Sequence, residues 1–223
     1  MPEWIEDPVR ALSALATAEH APSRTIVGLV GLPGAGKSTW AQRWCRAVNQ
    51  ELGEPAMQAL GMDGFHLSRA QLATRPDAKE ALARRGAEWT FDPAALRQGL
   101  QALRQRDAKG QALPCTWPDF DHAAGDPVAD AIEVSPHSRL ILVEGLYLLL
   151  PDADWALQDC FDAVWFLDVP PTQATHQLMA RHQQAWGWSA DQARERAQGS
   201  DALNAARVWA TRDRADAWVR PKS

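Results

Sequence analysis

Gly31-Leu32-Pro33-Gly34-Ala35-Gly36-Lys37-Ser38 is an unbroken GxxxxGK[ST] octet, followed directly by Thr39. Residues of these types at this spacing do one kind of chemistry, which is to hold the phosphates of a nucleoside triphosphate. Glycines at 31, 34 and 36, with Pro33 and Ala35 between them, let the backbone curl until successive N–H groups face phosphate oxygens. Lys37 carries a compact ammonium toward the β- and γ-phosphates. Ser38 offers its hydroxyl to Mg²⁺, and Thr39 is placed for the α-phosphate. None of the four lysines sits in an Asn-Lys-x-Asp motif, the usual reader of guanine, so the expected nucleotide is ATP.

Two acids stand at strand-like ends. Asp63, in Met62-Asp63-Gly64-Phe65-His66, is able to accept the proton of an attacking hydroxyl, although Asp before Gly is also a common turn residue. Glu144 follows the apolar run Leu140–Val143 and precedes Gly145, where an acid holds a metal's water shell or the attacking group.

The surrounding pattern supplies the elements that must position these groups. Residues 25–31 (TIVGLVG) read as a buried strand, and a helix from Lys37 places Trp40, Trp44 and Val48 on one face. Residues 56–62 form a weaker strand ending near Asp63, and 139–143 and 163–169 are further buried strands. Asp7-Pro8 and Asp92-Pro93 are helix starts, the first within an N-terminal helix at 1–22, the second running to about Arg106. The last 50 or so residues read as two or three helices before a short strand near 217–219, and 114–127 reads as loop. Alternating strands and helices predict one α/β domain over 1–223: a three-layer P-loop NTPase fold with a mainly parallel sheet of about five strands, helices on both faces and a helical lid at about 172–200.

Taken in order, the phosphate loop, MDGFH (62–66), PDFDH (118–122), VEGLYLLL (143–150) and TRDRAD (211–216) resemble the pantothenate kinase, uridine kinase and phosphoribulokinase superfamily. Arg85-Gly86-Ala87 with Thr90-Phe91-Asp92, and Gly199-Ser200-Asp201 with Asn204, resemble its bacterial nucleoside/nucleotide kinase-like members, some of them described as sugar kinases. The resemblance covers roughly residues 24–220. It implies ATP-dependent phosphorylation of a small-molecule hydroxyl, with Asp63 as base and Glu144 near metal and acceptor. It also implies that Arg181 neutralises the transferred phosphoryl from a mobile lid, with Arg194 and Arg196 as alternatives. His66 and His122 match positions near the acceptor, Phe120, Asp121 and Tyr147 belong to the same wall, and Arg212 and Arg214 lie where the superfamily contacts adenine. This chain has Phe120-Asp121-His122 where pantothenate kinases resemble Tyr-Ser-His.

Composition narrows the field from the other side. Lys and Arg total 23 against 28 Asp and Glu, a formal charge of −5 without basic blocks, which argues against nucleic acid as partner. No run of 18 apolar residues predicts a membrane span, and no secretory leader is expected in the acidic MPEWIEDP opening. Cys45, Cys115 and Cys160 fit neither a disulfide framework nor a CxxC metal site, so buried small hydrophobes in a reducing cytoplasm are expected. The eleven tryptophans are expected to be core packing. The expected partner is a small hydroxyl acceptor, with a homodimer common among similar proteins. A nucleotide-dependent switch acting on a protein partner is the other function the phosphate loop would serve.

Overall fold

The computed structural model describes residues 2–18 and 24–221. Strands are β1 (Glu3–Ile5), β2 (Thr25–Gly31), β3 (Met57–Gly61), β4 (Cys115–Asp121), β5 (Asp126–Val134), β6 (Leu140–Gly145), β7 (Ala163–Leu167) and β8 (Ala217–Val219). Helices are α1 (Pro8–Thr17), α2 (Lys37–Leu52), α3 (Arg69–Ala73), α4 (Ala78–Ala83), α5 (Pro93–Leu103), α6 (Pro171–Trp186), α7 (Ala190–Gln198) and α8 (Ser200–Trp209).

Six strands form one parallel sheet in the order β1-β8-β7-β2-β6-β3. All seven residues of β2 are buried, as an unbroken apolar run requires of a strand covered on both faces. β2 pairs with β6 on one side and β7 on the other, so successive crossovers leave it in opposite directions. That reversal opens a crevice at the carboxyl end of β2, where the phosphate loop begins. β3 and β6 run beside it, with Gly61 level with Glu144, so both acids reach the same crevice.

The sheet has one strand more than expected. Three-residue β1 adds to its edge against β8, too short and too exposed to show any apolar period. α1 is correspondingly confined to Pro8–Thr17 rather than filling 1–22, of which residues 1 and 19–22 lie outside the described residues. Its predicted start holds: the Asp7 side chain accepts from Arg10 N at 3.1 Å, and Asp92 caps α5 through Ala95 N at 2.9 Å.

The segment read as loop at 114–127 is instead the first arm and turn of an antiparallel hairpin, β4–β5. Its inner strand alternates, with Trp117 fully buried and donating from Nε1 to the Gly61 carbonyl at 2.8 Å. Pro118, Pro127 and a register shift between Trp117 and Asp119 hide that alternation in the sequence. The cysteines also depart from expectation. All three are free, but only Cys160 is buried, while Cys45 and Cys115 are half-buried. Trp44, Trp117, Trp155 and Trp165 are core residues, whereas Trp4, Trp186 and Trp209 are exposed. Among the described residues no helix is long and apolar enough to cross a membrane.

Candidate active site

Gly34 and Gly36 take φ of +80° and +84°, left-handed values that favour glycine, and so turn the chain back over β2. Ala35, 2% exposed, closes the turn by donating its N–H to the Leu32 carbonyl at 3.0 Å. A Cβ on Gly34 would lie 2.7 Å from Leu178 Cβ and 2.9 Å from Leu178 N, so α6 sits directly on the loop. At Gly31 a Cβ would come within 3.1 Å of Leu167 Cβ, which packs the loop's first residue against β7. Pro33 is half-buried on the loop crest, and Ser38 and Thr39 are exposed on the first turn of α2, whose N-cap is Gly36. Helix N-terminus and loop amides thus face one space, an anion cradle.

Lys37 lies across that cradle with Nζ donating to the Gly31 and Leu32 carbonyls at 3.0 and 3.2 Å. Burial lowers its pKa, the negative charges of Glu144 and Asp63 oppose that shift, and the positive Arg181 adds to it. Glu144 is its counterpart. Burial raises the Glu144 pKa, Lys37 opposes, Asp63 raises it further, and Arg181 opposes. Lys37, Asp63, Glu144 and Arg181, from α2, the turn after β3, β6 and α6, therefore share one electrostatic site.

Ser38 Oγ donates to Glu144 Oε1 at 2.6 Å. A hydroxyl and a carboxylate, with Asp63 close enough to perturb that carboxylate, are the oxygen donors that suit Mg²⁺, a hard cation that keeps water and phosphate oxygens as its other ligands. Among the described residues no cluster of three or more His, Cys, Asp or Glu is placed to hold a metal.

On the side where the sequence predicts an acceptor, Asp63 lies in the 3-10 turn Met62–Phe65. Its carbonyl accepts from His66 Nδ1 at 2.7 Å, which fixes that tautomer and leaves Nε2 as an acceptor. The His66 ring packs against Phe91 at a 34° tilt (3.8 Å between centroids) and meets Phe120 at 4.8 Å. Burial lowers the His66 pKa, and the charge and carbonyl of Asp63 oppose it. Phe120 reaches this wall from β4 and holds His122 at 5.3 Å, with the Arg85 guanidinium 5.4 Å above its ring. Phe91 and Arg85 were legible only as members of larger motifs, since nothing local links either to His66 or Phe120.

Two of the acceptor candidates are occupied elsewhere in this structure. Asp121 Oδ1 accepts from Ala123 N at 2.8 Å and Ala124 N at 3.0 Å, turning the hairpin, and these bonds hold its pKa down. Tyr147 is fully buried against Phe91 and Trp155, and its hydroxyl donates to the Gly86 carbonyl at 2.6 Å. Burial holds its phenol pKa well above the ordinary value, so it backs the wall as a donor.

The three arginines expected on a lid differ in their surroundings. Arg194 is exposed and paired with Asp191 at 3.4 Å within α7. Arg196 donates to Asp201 and to the Ala83 and Arg85 carbonyls. Arg181 makes no ion pair among the described residues, and its charge is felt at Lys37 and Glu144. Near the carboxyl end of β7, Arg212 pairs with Asp168 at 2.8 Å and stacks 3.8 Å over Trp218. Arg214 donates to the Leu149 carbonyl at 3.1 Å and to Gln158 at 2.9 Å. Both guanidiniums are thus engaged within the protein.

A strand–phosphate loop–helix unit on a parallel sheet, with acids at two neighbouring strand ends, defines a P-loop kinase. The chain belongs to the superfamily of pantothenate kinase, uridine kinase and phosphoribulokinase. It is 38% identical over 161 residues to a Schizosaccharomyces pombe protein named as a uridine kinase, covering 71% of this chain and 66% of that one, just under two thirds of its length. An ATP-dependent kinase-like protein of Aspergillus versicolor is 46% identical over 123 residues, 54% of this chain and 70% of that one. In three dimensions the chain matches a kinase assigned to a fructose transport system in Silicibacter with TM-score 0.81 and 32% identity, over 96% of this chain and all of that one. No protein-family model matches the chain.

Proposed function

We propose that this chain, acting as one domain with α6–α8 as its lid, transfers the γ-phosphoryl group of MgATP to a hydroxyl of a small molecule. The observation that carries the proposal is the convergence of Lys37, Asp63, Glu144 and Arg181 on one phosphate cradle. A protein that only bound nucleotide would need the loop alone, whereas transfer needs a base and positive charge on the migrating group.

The roles divide by position. The loop amides and Lys37 hold the β- and γ-phosphates. The acceptor oxygen attacks γ-phosphorus while its proton passes to the Asp63 carboxylate, and ADP leaves with the former bridging oxygen. Arg181, whose charge is felt at Lys37 and Glu144, neutralises the moving phosphoryl in this reading, its planar fork matching phosphate oxygens. Ser38 and Glu144 are the residues that would hold Mg²⁺, which when bound shields phosphate charge. Adenine is the expected base, and a reducing cytoplasm suits three free cysteines.

For the acceptor, His66 Nε2 offers a hydrogen-bond acceptor and the Phe91–His66–Phe120 cluster an apolar face, a pairing that suits a polyol or a nucleoside sugar. Relatives named for uridine and for fructose transport agree with that class. Supplying sugars, nucleosides and pantothenate with MgATP and measuring ADP tests the proposal. ADP formation should rise with one of these acceptors and its phosphomonoester should appear; ADP formation indifferent to all of them would count against it.

A further inference from the structure

The Arg85-Gly86-Ala87 and Gly199-Ser200-Asp201…Asn204 motifs have no part in the reaction as described, yet the structure joins them. Asp201, 8% exposed at the start of α8, accepts from His182 Nε2 at 2.8 Å through one oxygen and from Arg196 Nε at 3.3 Å through the other. Arg196 carries the connection onward, with Nη1 donating to the Ala83 carbonyl and Nη2 to the Arg85 carbonyl, both at 2.8 Å. Asn204 Nδ2 donates to the Gly86 carbonyl at 3.1 Å, beside the Tyr147 hydroxyl, and Arg84 Nε donates to Ser200 Oγ at 3.1 Å. The 83–86 segment is thereby strapped directly to α7 and α8, and through Asp201 and His182 to α6.

Both ends of this strap lead to the site. His182 is the residue after Arg181, 2% exposed, its ring stacked on Trp186 at 4.7 Å and against Trp188 at 5.4 Å. Holding His182 fixes the rotation of α6 and so the direction in which Arg181 projects. At the other end the Arg85 side chain donates to the Leu67 and Gly125 carbonyls and to Asp126, and lies over Phe120 on the acceptor wall.

We propose that Asp201 is a positioning residue that ties the Arg181 helix to the acceptor-side segment 83–86, so that Arg181 meets the γ-phosphate only while lid and wall are joined. Six hydrogen bonds hold the joint, but among the described residues His182 Nδ1, Asn204 Oδ1 and Arg85 Nε are buried without partners, each a cost that offsets those bonds and keeps the joined state marginal. A lid that must release product needs that marginality.

The inference rests on the kinase reading only for the contact between Arg181 and the γ-phosphate, so its test requires no acceptor. Affinities of the full chain for Mg²⁺ with a non-hydrolysable ATP analogue and for MgADP would be measured by calorimetry. Arg181→Ala should lower the preference for the triphosphate by roughly tenfold, the scale of one charge-assisted hydrogen bond. Asp201→Asn should lower it by a similar factor, Asp201→Glu should restore part of it, and the Arg181→Ala/Asp201→Asn double variant should lose no more than either single one. An unchanged preference in either single variant, additive losses, or an equal loss of ADP affinity would overturn the proposal. Should Asp201→Asn fail to fold, Arg196→Lys keeps the charge but loses the fork to two carbonyls, and carries the same expectations. Absence of acceptor-dependent turnover would refute the kinase reading without touching this result.

Discussion

In the proposed reaction Lys37 and Asp63 divide the work in a way that substitutions can separate. Lys37→Ala removes the ammonium from the cradle, so MgATP binding itself should weaken by tenfold or more, on the scale of a lost charge-assisted contact, in a calorimetric titration. The site residues were legible in the sequence to the extent that neighbours in the chain determine them. The phosphate loop is local, and Asp63 and Glu144 are marked by the apolar runs that end beside them. Arg181 came only through resemblance, because nothing in Leu178-Met179-Ala180-Arg181-His182 distinguishes it from a solvated helix residue. Arg24 shows the converse, since no pattern announces a buried arginine. It is 1% exposed and donates to the Ser138, Leu103 and Ser135 carbonyls at 3.1, 2.9 and 2.8 Å. Arg24→Leu would orphan the Ser138 and Leu103 carbonyls, while Ser135 O would keep the Ser138 N–H at 3.1 Å, and a stability loss of about 2–4 kcal/mol in urea unfolding is expected.

Contacts between elements give the loop its rigidity, and Gly34 is where they meet. Gly34→Ala would place a β-carbon in a left-handed residue and against the Leu178 backbone, forcing α6 away from the phosphates. The left-handed strain alone is about 1–2 kcal/mol, so both the urea midpoint and MgATP affinity should fall. At the acceptor wall, burial against Phe91 and Phe120 lowers the His66 pKa below its ordinary 6.5. The unfolded chain then binds the proton more readily than the folded one. Stability contributed by neutral His66 is full above pH 6.5 and lost as pH falls below it. Between pH 7 and pH 5.5 the urea midpoint of the native chain should therefore drop more than that of His66→Gln. Elements were legible where periodicity is strong, as in β2, α2 and α5. β1 and the β4–β5 hairpin were not, because a three-residue edge strand carries no period and two prolines with a register shift erase one.

At the scale of the molecule, the net charge of −5 coexists with a phosphate loop whose amides and Lys37 face one space, so placement of charge rather than its sum governs what binds. Sheet order puts the loop at the strand reversal, α6 on one side of it and both acids on the other. The hairpin and the 65–91 segment then close the acceptor side. Acceptor identity was the least legible feature, since the wall is assembled from His66, Phe91, Phe120 and Arg85, brought together by tertiary contacts alone. The central claim is transfer to a hydroxyl with Asp63 as base. Its most direct measurement is acceptor-dependent ADP formation by the native chain and by Asp63→Asn, with MgATP affinity measured in parallel. The account predicts turnover lower by about 10²–10⁴-fold in the variant, the usual scale for a general base, at unchanged MgATP affinity. Equal turnover in both proteins would contradict it.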